Sequence, residues 1–371
     1  MKRGLHIITG LGVGGAERQL PALLRRLPLA CDVVTLTNPG AVARDLRAQG
    51  VRVTDLGMAG SRDLSVLPRL AGLIRAGGYD LVHTHLYRAC VYGRIAARLA
   101  GVRAVVATEH SLGARRIEGR PLTQATRALY LATERLGAAT VAVSATVAER
   151  LITWGVPAGR IHVVPNGIEP AAFRFDPQAR RAVRDRLGLP PGAFVVGGVG
   201  RLVPGKGFDA LVRAVGTLPE GVRLVLAGEG PQRAALTRLA ARLGAADRVV
   251  LTGEWPDVPG LLAAFDLFVS PSTEETFGLA VLEALAAGLP VLHVTCPAVD
   301  ELPRREAPGA RRVGREAADL ARAVRAELSL GARRLPVPDA VRRYDVDRTA
   351  ERLMAVYEAA HVALPEEVGL P

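Results

Sequence analysis

Short apolar runs alternate with longer amphipathic stretches along almost the whole chain. An apolar run of about four to eight residues bounded by glycine or proline is typical of a buried strand, and apolar positions three or four apart are typical of a helix. Strands that alternate with helices form parallel sheets covered on both faces, so the pattern predicts an α/β protein with doubly wound, Rossmann-like sheets. The predicted strands cover residues 5–9, 32–36, 81–84, 104–108, 140–143, 194–200, 222–227, 248–251, 267–270 and 291–294, and the clearest early helices cover 17–26 and 43–49.

The alternation breaks once, in a polar, proline-containing passage at 173–191. A chain of 371 residues is long enough for two domains that each bury a core. We therefore predict an N-terminal domain at 1–167 and a C-terminal domain at 168–345. Ligands of doubly wound sheets bind beyond the carboxyl ends of the strands, so the site is expected in a cleft that the two domains face.

Lysine is almost absent from the chain. Only two of its 48 cationic side chains are lysines, and one of them, Lys206, lies in the segment 200–207, GRLVPGKG. A lysine between glycines, where nearly every other cation is arginine, indicates a need for a compact ammonium. Contact with a phosphate is the predicted use.

A second segment, 270–285, reads SPSTEETFGLAVLEAL and starts a helical pattern near Thr276. A helix start offers unpaired amides and the positive end of a dipole. The backbone at Phe277, Gly278 and Leu279 is therefore a candidate seat for a diphosphate.

Glu275 and Glu283 bracket this helix start. Carboxylates accept hydrogen bonds from sugar hydroxyls, so one can hold a donor sugar and the other the ribose of a nucleotide. The plain alternative is an acid that favours the helix dipole, followed by an ordinary helix glutamate.

Together these segments resemble the retaining glycosyltransferases of family 4, which have the two-domain fold called GT-B. The Glu-x7-Glu pair matches at Glu275 and Glu283, and the Arg-Leu-x3-Lys-Gly element matches from Arg201 to Gly207. The likeness continues in the expected order through the segments 14–17 GGAE, 164–168 VPNGI and 226–231 LAGEGP. The motifs cover nearly the whole length, so two Rossmann-like domains of the GT-B type are expected.

The resemblance implies a hexosyltransferase that moves a sugar from a nucleoside diphosphate to an acceptor hydroxyl with retained configuration. It implies that Arg201 and Lys206 stabilise the leaving diphosphate, so that neither a metal nor a cofactor is required, and that Glu275 positions the donor. UDP-sugars are favoured as donors and GDP-sugars come next. The acceptor is lipid-linked, a polysaccharide or a natural product, in cell-envelope or secondary-metabolite synthesis.

The resemblance also assigns a different substrate to each domain. It implies that residues 1–167 bind the acceptor, that 168–345 bind the nucleotide sugar, and that the segment 346–371 packs back on the first domain. This chain departs from the family pattern at one segment, 295–302, which reads TCPAVDEL. The family commonly has a small, glycine-rich loop near the donor at this place. Proline removes an amide donor, so the donor contacts of that loop are not carried over to this chain.

The N-terminal loop 10–15, GLGVGG, lies between a strand and a helix and contains the Gly-x-Gly-x-x-Gly pattern of dinucleotide-binding domains. An NAD-dependent enzyme needs an acid at the end of the second strand, but that strand ends TLTN at 35–38 and Asp32 lies at its start. In the resembling family this loop lets the backbone at Gly14 and Gly15 approach the diphosphate. An NAD-dependent enzyme and a non-hydrolysing nucleotide-sugar epimerase are the alternatives, although the epimerase would not need the Glu-x7-Glu pair.

Histidines cluster in the first half. We expect His83 and His85, at a strand end, to lie on opposite faces, one packed and one towards the cleft, which argues against a shared metal ion. His110 stands where the resembling family has a histidine near the reacting sugar and is predicted to be catalytic; a structural loop histidine is the alternative. No motif surrounds the remaining histidines, His6, His162, His293 and His361.

A basic loop at 114–120, ARRIEGR, leads into a predicted helix at 121–136. Its arginines are candidates for contact with an acceptor phosphate. Leu122, Leu129 and Leu136 repeat at helical spacing, which predicts a stripe facing the core.

The excess of positive over negative side chains lies entirely in residues 1–167. Residues 1–167 contain 22 Lys and Arg against 10 Asp and Glu, whereas the rest contains 26 against 26. This asymmetry favours an anionic acceptor or peripheral contact with an acidic membrane surface, and the alternative is a generic arginine-rich surface. Nucleic acid is disfavoured because aromatic residues are only 4% and no nucleic-acid motif is present.

Three distant cysteines without metal spacing, together with the lack of a signal peptide or a long apolar span, predict a reduced, cytoplasmic protein. Peripheral contact with the inner face of the membrane is part of the same expectation.

Overall fold

The computed structural model describes residues 1–12, 14–113, 116–118 and 120–362. The strands are β1 Arg3–Ile8, β2 Ala30–Thr35, β3 Val53–Asp55, β4 Leu81–His85, β5 Val105–Glu109, β6 Arg116–Ile117, β7 Arg120–Pro121, β8 Ala139–Ala142, β9 Ile161–Val163, β10 Phe194–Val199, β11 Val222–Ala227, β12 Val249–Gly253, β13 Leu267–Ser270, β14 Val291–His293 and β15 Ala310–Arg312. The helices are α1 Gly15–Leu24, α2 Gly40–Ala48, α3 Val66–Gly77, α4 Tyr87–Leu99, α5 Gln124–Glu134, α6 Ala145–Trp154, α7 Pro177–Arg186, α8 Phe208–Gly216, α9 Arg233–Arg242, α10 Val258–Ala264, α11 Leu279–Ala286, α12 Pro297–Asp300, α13 Ala317–Leu330, α14 Asp339–Arg343 and α15 Val346–Val362.

The chain divides into two compact units. Unit 1 comprises Met1–Gly167 together with the chain from Val346 onward, and unit 2 comprises Ile168–Asp345. Each contains a parallel sheet, with strand order β3-β2-β1-β4-β5-β8-β9 in unit 1 and β12-β11-β10-β13-β14-β15 in unit 2. In each sheet the order reverses once, between β1 and β4 in unit 1 and between β10 and β13 in unit 2. Such reversals open a crevice at the carboxyl ends of the strands, where ligands of doubly wound sheets bind.

Two apolar cores cover the two faces of the unit 1 sheet. Leu5 and Ile7 of β1 pack with helices α3 and α4, whereas Ile8 packs with α1, α2 and α15. The last helix thus belongs to the core of unit 1, where its Tyr357 is fully buried. One further core fills unit 2 around β10, β11 and α8.

The predicted architecture of two parallel-sheet α/β domains is confirmed, with shifts of one or two residues at most strand ends. Besides β6 and β7, which are two residues long and pair with each other, three strands of the parallel sheets were missed: β3, β9 and β15. Each is only three residues long, mixes polar with apolar side chains and lies at an edge of its sheet. Edge strands are buried less completely, so they lack the continuous apolar run that identifies a central parallel strand.

Two helix predictions were wrong in detail. The helix predicted from near Thr276 begins at Leu279, because Gly278 has a left-handed φ of 110° and the residues before it belong to the loop. The predicted leucine stripe at 122, 129 and 136 does not face the core: Leu129 is 47% exposed, and α5 instead buries Tyr130, Thr133 and Glu134. The stripe failed because the first and last of the three leucines lie outside the helix.

Candidate active site

The two sequence segments that suggested phosphate chemistry meet in unit 2. The segment containing Lys206 follows β10, and the segment containing Glu275 follows β13. Since β10 and β13 are neighbours at the reversal of strand order, both loops leave the same point of the sheet edge. The Nζ of Lys206 lies 2.6 Å from Oε2 of Glu275, and the two side chains are 24% and 15% exposed.

The ion pair sets the charge of Glu275. Burial alone would raise the pKa of this carboxyl, but the ammonium of Lys206 and hydrogen bonds from the backbone at Thr276 and Phe277 outweigh it, so the pKa is lowered. Glu275 is therefore an ionised carboxylate, able to accept hydrogen bonds from hydroxyl groups.

Backbone contacts hold the two loops together. The amide of Thr273 donates to the carbonyl of Gly205 at 3.0 Å. Gly207 has a φ of 66°, and a Cβ at this position would lie 2.4 Å from the carbonyl oxygen of Pro271. The glycine that follows Lys206 is thus required by the close approach of the second loop.

Arg201 belongs to the same crevice. Its side chain is exposed, and within the described part of the chain its guanidinium makes no hydrogen bond or ion pair. The loop around it is fixed by a third loop, at the end of β11: the amide of Leu202 donates to the carbonyl of Glu229 at 2.9 Å, and a Cβ on Gly228 would lie 2.0 Å from the carbonyl oxygen of Gly200. The backbone around Arg201 is therefore held in place, whereas the guanidinium has no partner among the described residues and is available to bind an anion.

The candidate diphosphate seat lies at the start of α11. Phe277 is buried and packs edge-on against Tyr344 at 5.2 Å between ring centroids, which anchors the turn. In the first turn of α11, the amides of Leu279 and Ala280 have no carbonyl within the helix to accept from them, whereas those of Val281 and Leu282 donate to the carbonyl of Gly278. Glu283 lies farther along α11 with a half-buried side chain.

Segment 295–302 differs from a glycine-rich loop in its structure as well as its sequence. It forms the short helix α12, whose proline stands at the first turn, where an amide is not needed. The amide of Ala298 donates to the carbonyl of Phe277 at 2.9 Å, and Cys296 Sγ lies 3.4 Å from the same oxygen. This segment supports the turn at Phe277 through contacts inside the protein.

In unit 1, His110 follows β5 and joins a cluster of buried histidines. Its Nε2 lies 3.1 Å from Nδ1 of His85, and Nε2 of His85 lies 3.0 Å from Nδ1 of His6. Burial lowers the pKa of His110 to about 4 and that of His6 to about 3. Burial, reinforced by the neighbouring histidines, also places the pKa of His85 well below its ordinary value, so the three rings are neutral near pH 7.

The expectation that His83 and His85 lie on opposite faces of the strand was wrong. Both are buried, and their ring centroids are 4.0 Å apart. Residues two apart on a strand share one face, so the alternation argument predicts proximity, not separation. His6, which no motif marked, completes the cluster because it pairs with His83 in the register of β1 and β4.

One nitrogen from each of His6, His83 and His85 lies within 4.8 Å of the others, close enough to be considered for a metal ion. However, His83 is already bonded through both nitrogens, to the hydroxyls of Tyr357 at 2.6 Å and Thr108 at 2.7 Å. Both nitrogens of His85 face other imidazoles at hydrogen-bond distance. The cluster fits a hydrogen-bonded network better than a set of metal ligands.

A cavity of about 30 Å³ adjoins these rings, enough for a water molecule or two. Its polar lining includes Gln19, Asn166 and Thr349 beside His85 and His110. The motif asparagine of segment 164–168 thus lies in unit 1 beside the histidines.

Two other predicted features of unit 1, the glycine loop at 10–15 and the basic loop at 114–120, lie only partly within the described residues. Gly14 caps α1 in an extended conformation, and Gly15 is the first helical residue; Val13 between the loop glycines lies outside the described residues. Arg115 and Gly119 of the basic loop also lie outside them. The carboxylate of Glu118 accepts a hydrogen bond of 2.6 Å from the amide of Tyr87, at the start of α4.

Comparison with known proteins assigns the family. Residues 13–172 match the model described as Glycosyltransferase Family 4, and residues 193–329 match the model described as Glycosyl transferases group 1. The D-inositol 3-phosphate glycosyltransferase of Acidothermus cellulolyticus is 34% identical, over 95% of this chain and 87% of that protein. The 2-deoxystreptamine glucosyltransferase of Streptomyces kanamyceticus is 31% identical, over 72% of this chain and 77% of that protein.

Among solved structures, that of Anabaena Alr3699/HepE in complex with UDP-glucose is similar in fold. The TM-score is 0.83 at 24% identity, over 97% of this chain and 100% of that one. The chain therefore belongs to glycosyltransferase family 4, has the GT-B fold, and is a hexosyltransferase. The family and fold predicted from the motifs are confirmed. Among the described residues, none of the helices has the length and apolar character needed to span a bilayer.

Proposed function

We propose that this enzyme transfers a hexosyl group from a nucleoside diphosphate sugar, with a UDP-sugar preferred and a GDP-sugar next, to an acceptor hydroxyl with retention of configuration. The observation that carries the proposal is the ion pair of Lys206 with Glu275 at the sheet-order reversal of unit 2, beside the start of α11 and the uncommitted cation of Arg201. Two cations, free amides and an ionised carboxylate suit a diphosphate joined to a sugar.

Each residue has a proposed role. Arg201 binds diphosphate oxygens through paired hydrogen bonds, and Lys206 adds a point charge. The backbone at Phe277, Gly278 and Leu279 seats the diphosphate at a helix start.

The remaining residues are proposed to contact the sugars, the acceptor or the diphosphate. Glu275 accepts from hydroxyls of the donor sugar and Glu283 from the ribose. The backbone at Gly14 and Gly15 approaches the diphosphate, and His110 donates to a sugar hydroxyl or shapes the acceptor pocket.

The proposed reaction needs charge stabilisation more than a strong base. The bond from the anomeric carbon to the diphosphate oxygen breaks, and the acceptor oxygen bonds to that carbon on the same face. The acceptor proton passes to the departing diphosphate, so the protein supplies no covalent nucleophile. Arg201 and Lys206 act where negative charge develops, and such a preorganised donor typically contributes about 3 kcal/mol at a transition state.

The names of the relatives support the proposed classes of donor and acceptor. Alr3699/HepE binds UDP and UDP-glucose, and the Streptomyces relative is named a glucosyltransferase, which supports a UDP-hexose. The acceptor is proposed to be lipid-linked, a polysaccharide or a natural product. The excess of cations in residues 1–167 favours an anionic acceptor or a peripheral membrane contact, and the relatives named for D-inositol 3-phosphate are in keeping with an acidic acceptor.

Calorimetric titration tests the donor site. The panel comprises UDP, GDP, ADP, their sugars and NAD, titrated into the wild type, Lys206→Ala and the matched control Lys2→Ala, which removes the only other lysine. Tight binding of one nucleoside diphosphate that weakens at least about tenfold in Lys206→Ala but not in Lys2→Ala supports the site. Binding of NAD alone, or equal affinity in all three proteins, overturns it, and sugar-nucleotide turnover without an acceptor would instead indicate an epimerase.

A further inference from the structure

The helices on the two faces of the unit 1 sheet differ in their acidic residues. On one face, α1, α2 and α15 contain five arginines and five acidic residues: Arg18, Arg44, Arg47, Arg348 and Arg352, and Glu17, Asp45, Asp347, Glu351 and Glu358. On the other face, α3, α4 and α5 contain six arginines and one acidic residue, Glu134. Glu134 is buried and forms an ion pair of 2.7 Å with Arg160. No acidic side chain of α3, α4 or α5 is therefore exposed.

The helices α3, α4 and α5 form one continuous surface, because α4 packs between the other two. Arg75 on α3 donates to the carbonyl of Leu99, the last residue of α4, at 2.8 Å. Beyond α5, Nε of Arg127 donates to the carbonyl of Trp154 at the end of α6, also at 2.8 Å. Since α6 contains one arginine and one glutamate, the imbalance of charge ends at α5.

We call the surface formed by the exposed and partly exposed side chains of α3, α4 and α5 the basic face. Arg94 is buried, so the arginines of the basic face are Arg69, Arg75, Arg88, Arg98 and Arg127. Within the described chain they bond to neutral groups or to none: two donate to carbonyl oxygens, Arg88 donates to a serine hydroxyl at 3.1 Å, and Arg69 and Arg98 make no hydrogen bond. None of these five charges is compensated by an ion pair with a described carboxylate.

The arginine-rich composition of the chain does not explain the basic face. Both faces have a similar number of arginines, and what differs is the lack of exposed acids on one of them. Two acids adjoin the basic face in loops, Asp63 and Glu118, and each accepts a hydrogen bond from a backbone amide. Arg75 and Arg98 lie in the last turns of their helices, where a cation favours the dipole, but the other three arginines do not.

Exposed apolar side chains accompany the arginines. Leu99 and Leu129 are exposed on the basic face, and Leu64 is exposed just before α3. On the described helices of the opposite face, the exposed large apolar side chain is Val362, the last residue of α15. Arginines interspersed with leucines suit the surface of an acidic bilayer, where lipid phosphates attract cations and apolar side chains enter the boundary of the acyl chains.

Nucleic acid suits the basic face less well. Proteins that bind single strands stack bases on exposed aromatic rings. The aromatic residues of α3, α4 and α5 are Tyr87, Tyr92 and Tyr130; Tyr92 and Tyr130 are buried, and Tyr87 is only partly exposed. The exposed leucines have no use against a phosphate backbone.

We propose that the basic face binds the surface of an acidic membrane, with its arginines against lipid phosphates and with Leu99 and Leu129 at the level of the headgroups. This inference deepens the peripheral membrane contact of the proposed function by assigning it to one face of unit 1. It does not depend on the donor or on the transfer reaction.

Sedimentation with lipid vesicles tests the proposal. The full chain is mixed with vesicles of phosphatidylcholine, with or without phosphatidylglycerol. Binding is expected to be at least about tenfold tighter when phosphatidylglycerol is present, because each cation near an acidic surface adds to the attraction. Added salt should weaken it through screening. Equal binding to both kinds of vesicle, or none, overturns the proposal, and so does tight binding to a DNA duplex without binding to vesicles.

Charge variants test the face. Arg69→Gln with Arg98→Gln removes two exposed arginines that make no hydrogen bond in the described chain, and is expected to weaken binding to acidic vesicles about tenfold. Arg44→Gln with Arg352→Gln, on α2 and α15, changes the net charge equally and is the matched control. The control should retain the wild-type affinity. Equal loss in both double variants would mean that net charge, and not the basic face, attracts the membrane.

Apolar variants test the leucines without changing charge. Leu99→Ser with Leu129→Ser should weaken vesicle binding severalfold and leave its salt dependence unchanged, whereas Leu330→Ser, an exposed leucine of unit 2, should have no effect. Unaltered binding in the double variant would contradict the insertion of the leucines.

The membrane contact and the donor site can fail separately. Arg69→Gln with Arg98→Gln should bind the nucleoside diphosphate as tightly as the wild type, because both arginines lie in unit 1 and the proposed donor site lies in unit 2. Loss of vesicle binding with normal nucleotide affinity is the expected result for this variant. Wild-type protein that binds the nucleotide but not acidic vesicles would overturn the membrane contact alone.

Discussion

Oε2 of Glu275 accepts a hydrogen bond of 2.6 Å from the ammonium of Lys206, across 69 positions of the sequence. The contact joins the ends of two neighbouring parallel strands and leaves a carboxylate ionised although it is mostly buried. Removal of either side chain would leave the other charge partly buried without its counter-charge.

Replacement of Lys206 by alanine is expected to lower kcat/KM by about 10²–10³, because a preorganised positive charge at the leaving diphosphate is lost. Lys206→Arg should recover only part of this, since a planar guanidinium does not reproduce a compact ammonium between glycines. Steady-state kinetics with the donor chosen by titration measure both. Lys2→Ala is the control, and a Lys206→Ala enzyme with normal kcat/KM contradicts the assigned role.

Arg201→Ala is expected to separate activity from stability. The side chain is exposed and, within the described chain, has no protein partner to lose, so the free energy of unfolding should change by no more than about 0.5 kcal/mol. The value of kcat/KM should fall by a factor of about 10²–10³. Urea denaturation and kinetics on the same preparations provide the two measurements.

Arg213→Ala, an exposed arginine on α8 of the same unit, is the matched control for Arg201→Ala. It should leave both quantities unchanged. Similar activity loss in the two variants would mean that general positive charge, and not the position of Arg201, supports the reaction.

The contact between Gly278 and Cys296 predicts a coupled effect on stability. A Cβ on Gly278 would lie 2.2 Å from Cys296 Sγ, and φ at this glycine is 110°. Gly278→Ala should cost about 1–2 kcal/mol from the backbone conformation and more from the clash. Cys296→Ala in the same chain should relieve the clash but not the backbone cost, which gives a coupling of about 0.5–3 kcal/mol in a denaturation cycle.

Gly221→Ala is the control for this cycle, since a Cβ there meets nothing within 4 Å. It is expected to be close to neutral. Strict additivity of Gly278→Ala and Cys296→Ala would show that the two residues do not touch in solution.

The site of unit 2 could be predicted from the sequence because its chemistry is carried by short, ordered motifs. Arg201 and Lys206 lie in the loop that follows one strand and Glu275 in the loop that follows another, and parallel strands bring those loops to one edge of the sheet. Gly278 was predicted to lie at the helix start that seats the diphosphate, but its contact with Cys296 connects segments that the sequence alone does not relate.

The histidine cluster of unit 1 was harder to predict. His6 stands alone within an apolar strand, and only the register of β1 against β4 brings it to His83. The relation between His83 and His85 was available from strand geometry and was misread. The buried carboxylate of Glu109 gave no signal either, since it directly precedes His110 in a polar segment.

Glu109 predicts an unusual dependence of stability on pH. It is fully buried in β5, and burial raises its pKa to about 7 even though the neighbouring Arg94 acts to lower it. The folded protein therefore holds this proton more tightly than the unfolded chain, whose carboxyl has the ordinary pKa of 4.5. The stabilisation from Glu109 is fully present below pH 4.5 and is lost as the pH rises to about 7.

Glu109→Gln mimics the protonated carboxyl at every pH and should remove this loss, which can reach about 3 kcal/mol for a change in pKa of this size. The free energy of unfolding, measured in urea from pH 5 to pH 8.5, should fall more steeply in the wild type than in Glu109→Gln. The exposed Glu149→Gln is the control and should follow the wild type. Parallel profiles for all three proteins would show that Glu109 keeps an ordinary pKa, which would require Arg94 to compensate its burial completely.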